Sequence, residues 1–113
     1  MKILPSYNVQ IWCGLREGYT DIVHDYDEVN DVIDKWIKSN PDCVTITPTQ
    51  FVYKDGWENG VIIGWIQYPR FPRSKEDIKG RAVKLGYLLM ETFKQNRITI
   101  TTPDESIMLE NGS

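Results

Sequence analysis

Two stretches of this chain place apolar residues at helical spacing, and each lies between segments that read as β-strands. Asp25-Tyr26-Asp27-Glu28 has the form of a capping box, an N-cap carboxylate with a glutamate three residues on. Val29, Val32, Ile33, Trp36 and Ile37 follow on one face, and Asn40-Pro41 ends the run because proline restricts the residue before it. Ser74 caps a second helix with Glu76 and Asp77 in its first turn. Ile78, Ala82, Leu85, Leu89 and Phe93 form its stripe, supported by Val83, Gly86 and Met90, and Asn96 is its expected stop.

The strands are read by alternation and residue type. Over 7–15, Val9, Ile11, Cys13 and Leu15 share one face and Asn8, Gln10 and Trp12 the other. Residues 43–53 are rich in β-branched and aromatic side chains, with Pro48 calling for an edge position or a bulge. Residues 54–60 carry Asp-Gly and Asn-Gly and should link a hairpin. Residues 61–68 are nearly all apolar, as in a central strand, with Gly64 marking a bulge or a close backbone approach. Residues 97–102 alternate again, Pro103-Asp104-Glu105 turns the chain, and 106–109 can form a short last strand before a frayed tail at 110–113.

The order strand, helix, strand, strand, helix, strand predicts a single ferredoxin-like α+β domain over 1–113, βαββαβ with a short extra C-terminal strand. Both helices then cover one face of an antiparallel sheet. The other face, with Trp12 and side chains from 43–53, stays open as an oligomer interface or ligand platform. A homo-oligomer, at least a dimer, is the expectation.

Composition narrows the partners. A chain of 113 residues with 41% hydrophobic and 26% charged residues can bury its own core. Its net charge of −3 opposes binding to long nucleic acid, which needs a basic face. No apolar run reaches the ~18 residues of a membrane span, and Met1-Lys2-Ile3-Leu4-Pro5 does not read as a signal peptide. Cys13 and Cys43 fall inside expected strands without metal or redox spacing, and read as buried thiols in a reducing compartment.

Catalytic motifs are sparse. His24 is the single histidine, and beside Asp25 it reads as a surface loop residue. Asp21, Asp25, Asp27, Glu28, Asp31 and Asp34 have no EF-hand spacing and read as the first turn and solvated face of the first helix. No metal or cofactor is expected. Trp57, in the hairpin, either packs on its own strands or is covered by a ligand or partner.

The pointed feature is Trp65-Ile-Gln-Tyr-Pro-Arg-Phe-Pro-Arg-Ser-Lys75, where a strand exit stiffened by prolines meets a helix N-terminus. Helix N-termini favour anions, arginine forks fit phosphate, and aromatic rings offer a face to a base. Arg70, Phe71 and Arg73 are therefore candidates for a nucleotide site, the alternative being arginines paired with Glu76 and Asp77. Arg97, with Asn96 before it, and Arg81 add further basic positions.

Cys43-Val-Thr-Ile-Thr-Pro-Thr49, Tyr68-Pro-Arg-Phe-Pro72, Arg97-Ile-Thr-Ile100 and Thr102-Pro-Asp-Glu-Ser-Ile-Met-Leu109 together resemble the phage Thoeris anti-defence sponge proteins of the first type. The resemblance runs from about residue 7 to 109. It implies a non-enzymatic oligomer in the cytoplasm of the infected bacterial host that sequesters a cyclic ADP-ribose isomer without cleaving it. Some members of that family also hold cyclic oligonucleotides at another site. On that reading Arg70, Arg73 and Arg97 take the pyrophosphate, Phe71 or Trp57 the adenine, and Asn96 or Asp104 the ribose hydroxyls. An RNA-recognition or protein-interaction module and a small nucleotide hydrolase are the competing expectations.

Overall fold

The computed structural model describes residues 1–111. The elements run β1 (Val9–Gly14), α1 (Tyr26–Ser39), β2 (Thr45–Tyr53), β3 (Gly56–Trp65), α2 (Lys75–Thr92), β4 (Arg97–Thr101) and β5 (Ser106–Glu110). Their strands form one antiparallel sheet in the order β2-β3-β1-β4-β5, with two helices, consistent with a ferredoxin-like type of α+β fold. Pro48 lies on β2, an edge strand, where its missing N–H costs no ladder bond to a further strand.

The helix ends follow local chemistry. Asp25 accepts the Glu28 amide at 2.9 Å and Ser74 accepts that of Asp77 at 3.0 Å, each relieving an orphan donor of the first turn. α2 ends earlier than Asn96 suggests: Phe93 is its C-cap, and Lys94 takes a left-handed φ of 54° to leave the helix.

Alternation decides what the core contains. Val9, Ile11 and Cys13 of β1 meet Val61, Ile63 and Trp65 of β3 on the helix-covered face, together with Val29, Ile33, Leu85, Leu89, Ile98 and Ile100. Full burial of such side chains contributes about 1.5–3 kcal/mol each. α2 comes close to β4 and β5 at Gly86, where an added Cβ would stand 2.8 Å from Leu109 and 3.2 Å from Ile100. Gly64 serves the close approach expected of it, since a Cβ there would meet the Thr45 hydroxyl at 2.5 Å.

The opposite face carries the row Thr47, Ile62, Trp12, Thr99, Met108, which crosses all five strands. Trp12 is half-buried and its indole N–H donates to the Thr101 hydroxyl at 3.0 Å, while Met108 is exposed.

Three expectations are corrected. The β2–β3 connection is a two-residue turn, Lys54-Asp55, with Tyr53 paired to Gly56 and Asp55 at φ 66°; both strands continue through the segment expected as loop. Cys43 is exposed and precedes β2, whereas Cys13 is buried as expected. Glu110 ends β5 and the Asn111 amide bonds the Asn96 carbonyl at 2.9 Å, so these two positions are not a frayed tail. Positions 112–113 lie outside the described residues.

Candidate functional site

β3 and β4 both run antiparallel to β1, so they start at the same end of the sheet. At that end the sheet register brings together residues remote in sequence. Tyr53 pairs with Gly56 and Phe51 with Glu58, and both pairs face away from the helices, as do Gly60 and Gly14. Arg97 opens β4 beside them.

The segment after β1 supplies the next wall. Arg16 bridges to Val23, the Glu17 amide bonds the Ile22 carbonyl at 2.9 Å, and the His24 amide bonds the Leu15 carbonyl at 2.7 Å. The chain thus folds back as a small hairpin, with Gly18 at φ 51° and Tyr19 fully exposed near its tip. His24 closes its base: one ring nitrogen meets the Glu28 carboxylate, the other lies 3.4 Å from Glu17, and the ring packs edge-on to Phe93.

Between these walls is an open cavity of about 400 Å³, lined by Arg16, Gly18, Tyr19, Tyr53, Glu58, Gln95, Asn96 and Arg97. Its size falls in the small-molecule range of roughly 300–1,000 Å³. Gln95, a buried polar residue, ties the floor together: its side-chain amide donates to the Arg16 carbonyl at 2.7 Å and to the Phe93 carbonyl at 3.0 Å. Gly14 makes room for it, because a Cβ there would stand 2.8 Å from the Gln95 Oε1 and 3.4 Å from the Glu58 Oε1. Burial, and secondarily the Glu58 charge, push the Cys13 thiol up to about 12. The Cys13 side chain lies in the core on the helix-covered face.

The arrangement can hold a ligand with aromatic, cationic and anionic parts. Glu58 offers a carboxylate to a cation, Tyr19 and Tyr53 offer ring faces, and Arg16 and Arg97 offer positive charge. Among the described residues no cluster of ligating side chains could hold a metal ion.

The candidates named from the sequence divide between two ends of the sheet. Asn96 and Arg97 line the cavity. Trp57 is exposed on β3 next to Glu58, and alternation turns it to the opposite face. Arg70, Phe71 and Arg73 follow the far end of β3, and Asp104, in the β4–β5 turn, lies 3.7 Å from Lys75 at that same far end. Within one chain the two groups do not converge.

Arg73 is engaged in an ion cluster. It bonds Asp77 at 3.0 Å and stands 3.9 Å from Asp42, while Arg81 reaches Asp77 at 3.2 Å and Asp42 at 3.5 Å. Asp42 also accepts the Trp65 indole N–H at 2.8 Å. Arg70 stacks over Phe71 at 5.2 Å, and Phe71 is exposed. Sequence reasoning did not reach Arg16, Gly18, Tyr19, Tyr53, Glu58 or Gln95. For Glu58 the signal was the alternation through the hairpin, hidden by assigning 54–60 to a loop; Tyr53 lay in the expected strand 43–53, on the face read as open, without being singled out.

No protein-family model matches the chain, and no curated protein matches its sequence. Two solved structures share its fold. A phage SAM lyase in complex with S-methyl-5'-thioadenosine superposes with a TM-score of 0.73 at 24% identity, covering 93% of this chain and 89% of that one. A phage SAM lyase in the apo state gives 0.74 at 25% identity, covering 95% and 90%. These relationships overturn the expectation of a non-enzymatic protein, because the structures that share this fold along nearly their whole length are those of an enzyme. That expectation came from the resemblance to the sponge proteins, and the lack of a nucleophile, histidine base or metal motif agreed with it. Cleavage of a bond to a good leaving group requires none of them.

Proposed function

We propose that this chain cleaves S-adenosylmethionine at the cavity around Glu58, as a phage lyase with an anti-defence role. The observation that carries the reading is the cavity itself: one carboxylate, two tyrosine rings and two arginines, set on the fold shared with the phage SAM lyases. A sulfonium is a soft cation that a carboxylate and aromatic faces attract, and adenine stacks on a tyrosine ring.

A lyase consumes no water. The bond from sulfur to the Cγ of the aminoacyl chain breaks, and its electron pair goes to sulfur, which leaves as neutral methylthioadenosine. The four-carbon fragment satisfies Cγ with its own carboxylate and departs as a five-membered lactone that keeps the ammonium. Charge and atoms balance without a co-reactant. Elimination instead would need a base for a Cβ–H that no carbonyl acidifies. The chain's task is then to fold the substrate so that carboxylate and Cγ meet, a proximity effect. Glu58 anchors the sulfonium region, the tyrosines hold the adenosine, and Gln95 keeps the Arg16 segment in place.

Loss of the methyl donor in the cytoplasm of an infected host would serve the anti-defence role expected from the sequence. Cyclic ADP-ribose isomers, the Thoeris signals, present the same adenosine and are the competing ligands at this cavity. The open face bearing Trp12, Ile62 and Met108 fits the expected homo-oligomer, to be measured by light scattering. The deciding experiment incubates the protein with S-adenosylmethionine and follows methylthioadenosine and lactone by mass. Wild type should produce both in equal amounts, and Glu58→Gln should be slower by ~10²-fold, the scale of losing one preorganised electrostatic group. A cyclic ADP-ribose isomer that is bound and recovered intact, with S-adenosylmethionine left uncleaved, would overturn the reading.

A further inference from the structure

Arg16 is placed unusually for a cation. Its Nε–H is buried and has no hydrogen-bond partner, although the residue lines the open cavity. Its backbone is fixed from both sides, by the bridge to Val23 and by the Gln95 amide on its carbonyl oxygen. A buried donor left unpaired is costly, and more so when it belongs to a charged group. An orphan donor on a charged side chain that lines a cavity, carried by an anchored backbone, therefore calls for an anionic ligand group. Glu58 lines the same cavity with the opposite sign. The lining is dipolar, which suits a ligand that carries both a positive centre and a carboxylate.

We propose that Arg16 is the specificity residue of the cavity: it receives the α-carboxylate of the aminoacyl chain, so that the pocket distinguishes adenosyl amino acids from adenosyl thioethers that lack this group. The assignment rests on the adenosyl-ligand reading above and deepens it. Arg97 is less suited to the role, because it is largely exposed at 72% and lies 3.7 Å from Glu110. A donor that grips one carboxylate oxygen leaves the other free to meet Cγ, so the same contact is compatible with closure of the lactone. Methylthioadenosine has no carboxylate and would gain nothing from Arg16, which also favours its release once formed.

Calorimetric titration of wild type, Arg16→Gln and Arg16→Lys with S-adenosylhomocysteine and with methylthioadenosine tests this. S-adenosylhomocysteine keeps the carboxylate but has no sulfonium to cleave. Arg16→Gln should weaken it by ~10- to 100-fold, the loss of one hydrogen bond to a charged group. Methylthioadenosine affinity should change by less than about twofold, and Arg16→Lys should restore part of the loss because the charge remains. Equal weakening of both ligands would make Arg16 a structural support and overturn the assignment, and so would no change in either. Absence of binding of both ligands to wild type would instead bring down the adenosyl-ligand reading itself. Guanidinium unfolding of each variant separates a folding defect from a binding one. A variant too unstable to titrate would count against Arg16 as a ligand residue, since a residue held for ligand is not needed by the fold.

Discussion

The side chain of Gln95 donates a hydrogen bond of 2.7 Å to the backbone carbonyl of Arg16, joining residues 79 positions apart in the chain. The same amide also donates to the Phe93 carbonyl, so one buried group fastens the exit of α2 to the segment that follows β1. Gln95→Leu keeps the volume and strands both carbonyls. Each orphaned buried acceptor costs about 1–3 kcal/mol. With one bond buried and the other part-buried, the variant should lose about 2–4 kcal/mol of stability in a urea titration, and should weaken adenosyl ligands as the Arg16 wall loosens.

Substitution of the two exposed arginines should separate the two ends of the sheet. Arg97→Ala removes a charge from the cavity lining and should weaken S-adenosylhomocysteine severalfold in calorimetry. Arg70→Ala removes a side chain stacked on exposed Phe71 at the far end and should leave that affinity unchanged. The reverse pattern would move the ligand to the strand exit at 69–73.

Two glycines of α2 should respond in opposite directions. At exposed Gly80 a Cβ meets nothing within 4 Å, so Gly80→Ala should stabilise by about 0.5–1 kcal/mol through helix propensity. At Gly86 the Cβ would press on Leu109 and Ile100. Gly86→Ala should destabilise by about 1–3 kcal/mol of overpacking, partly offset by the same propensity gain. Differential scanning calorimetry of the two variants reads both signs.

Acid stability should depend on Asp77. The hydrogen bond from Arg73, followed by that from Arg81, holds its carboxyl below the ordinary value of 3.8. A depressed folded-state value means that the contribution is complete above the unfolded value and is lost as pH falls through the folded one. Wild type and Asp77→Asn should therefore differ in chemical stability by a constant amount from pH 5 to 7. The difference should shrink below about pH 4. A difference independent of pH down to 2.5 would show that the ion pairs contribute nothing.

Local chemistry in the sequence determined the helix starts, the strand types and the element order. Asp25 and Ser74 cap because a side-chain oxygen three residues from an amide needs no tertiary context, and the stripes of α1 and α2 follow from a period of 3.6. Only the tertiary structure decided where α2 ends, with Lys94 in a left-handed conformation, and that the hairpin turns in two residues, so that Trp57 and Glu58 face opposite ways. It alone decided the cavity. Arg16, Tyr53, Glu58 and Gln95 share no motif and no local spacing; they meet because strand register and one buried amide bring them to the same end of the sheet. A proline-flanked arginine loop is conspicuous in one dimension, but whether its charges are free for a ligand depends on neighbours such as Asp42, which only folding brings beside Arg73.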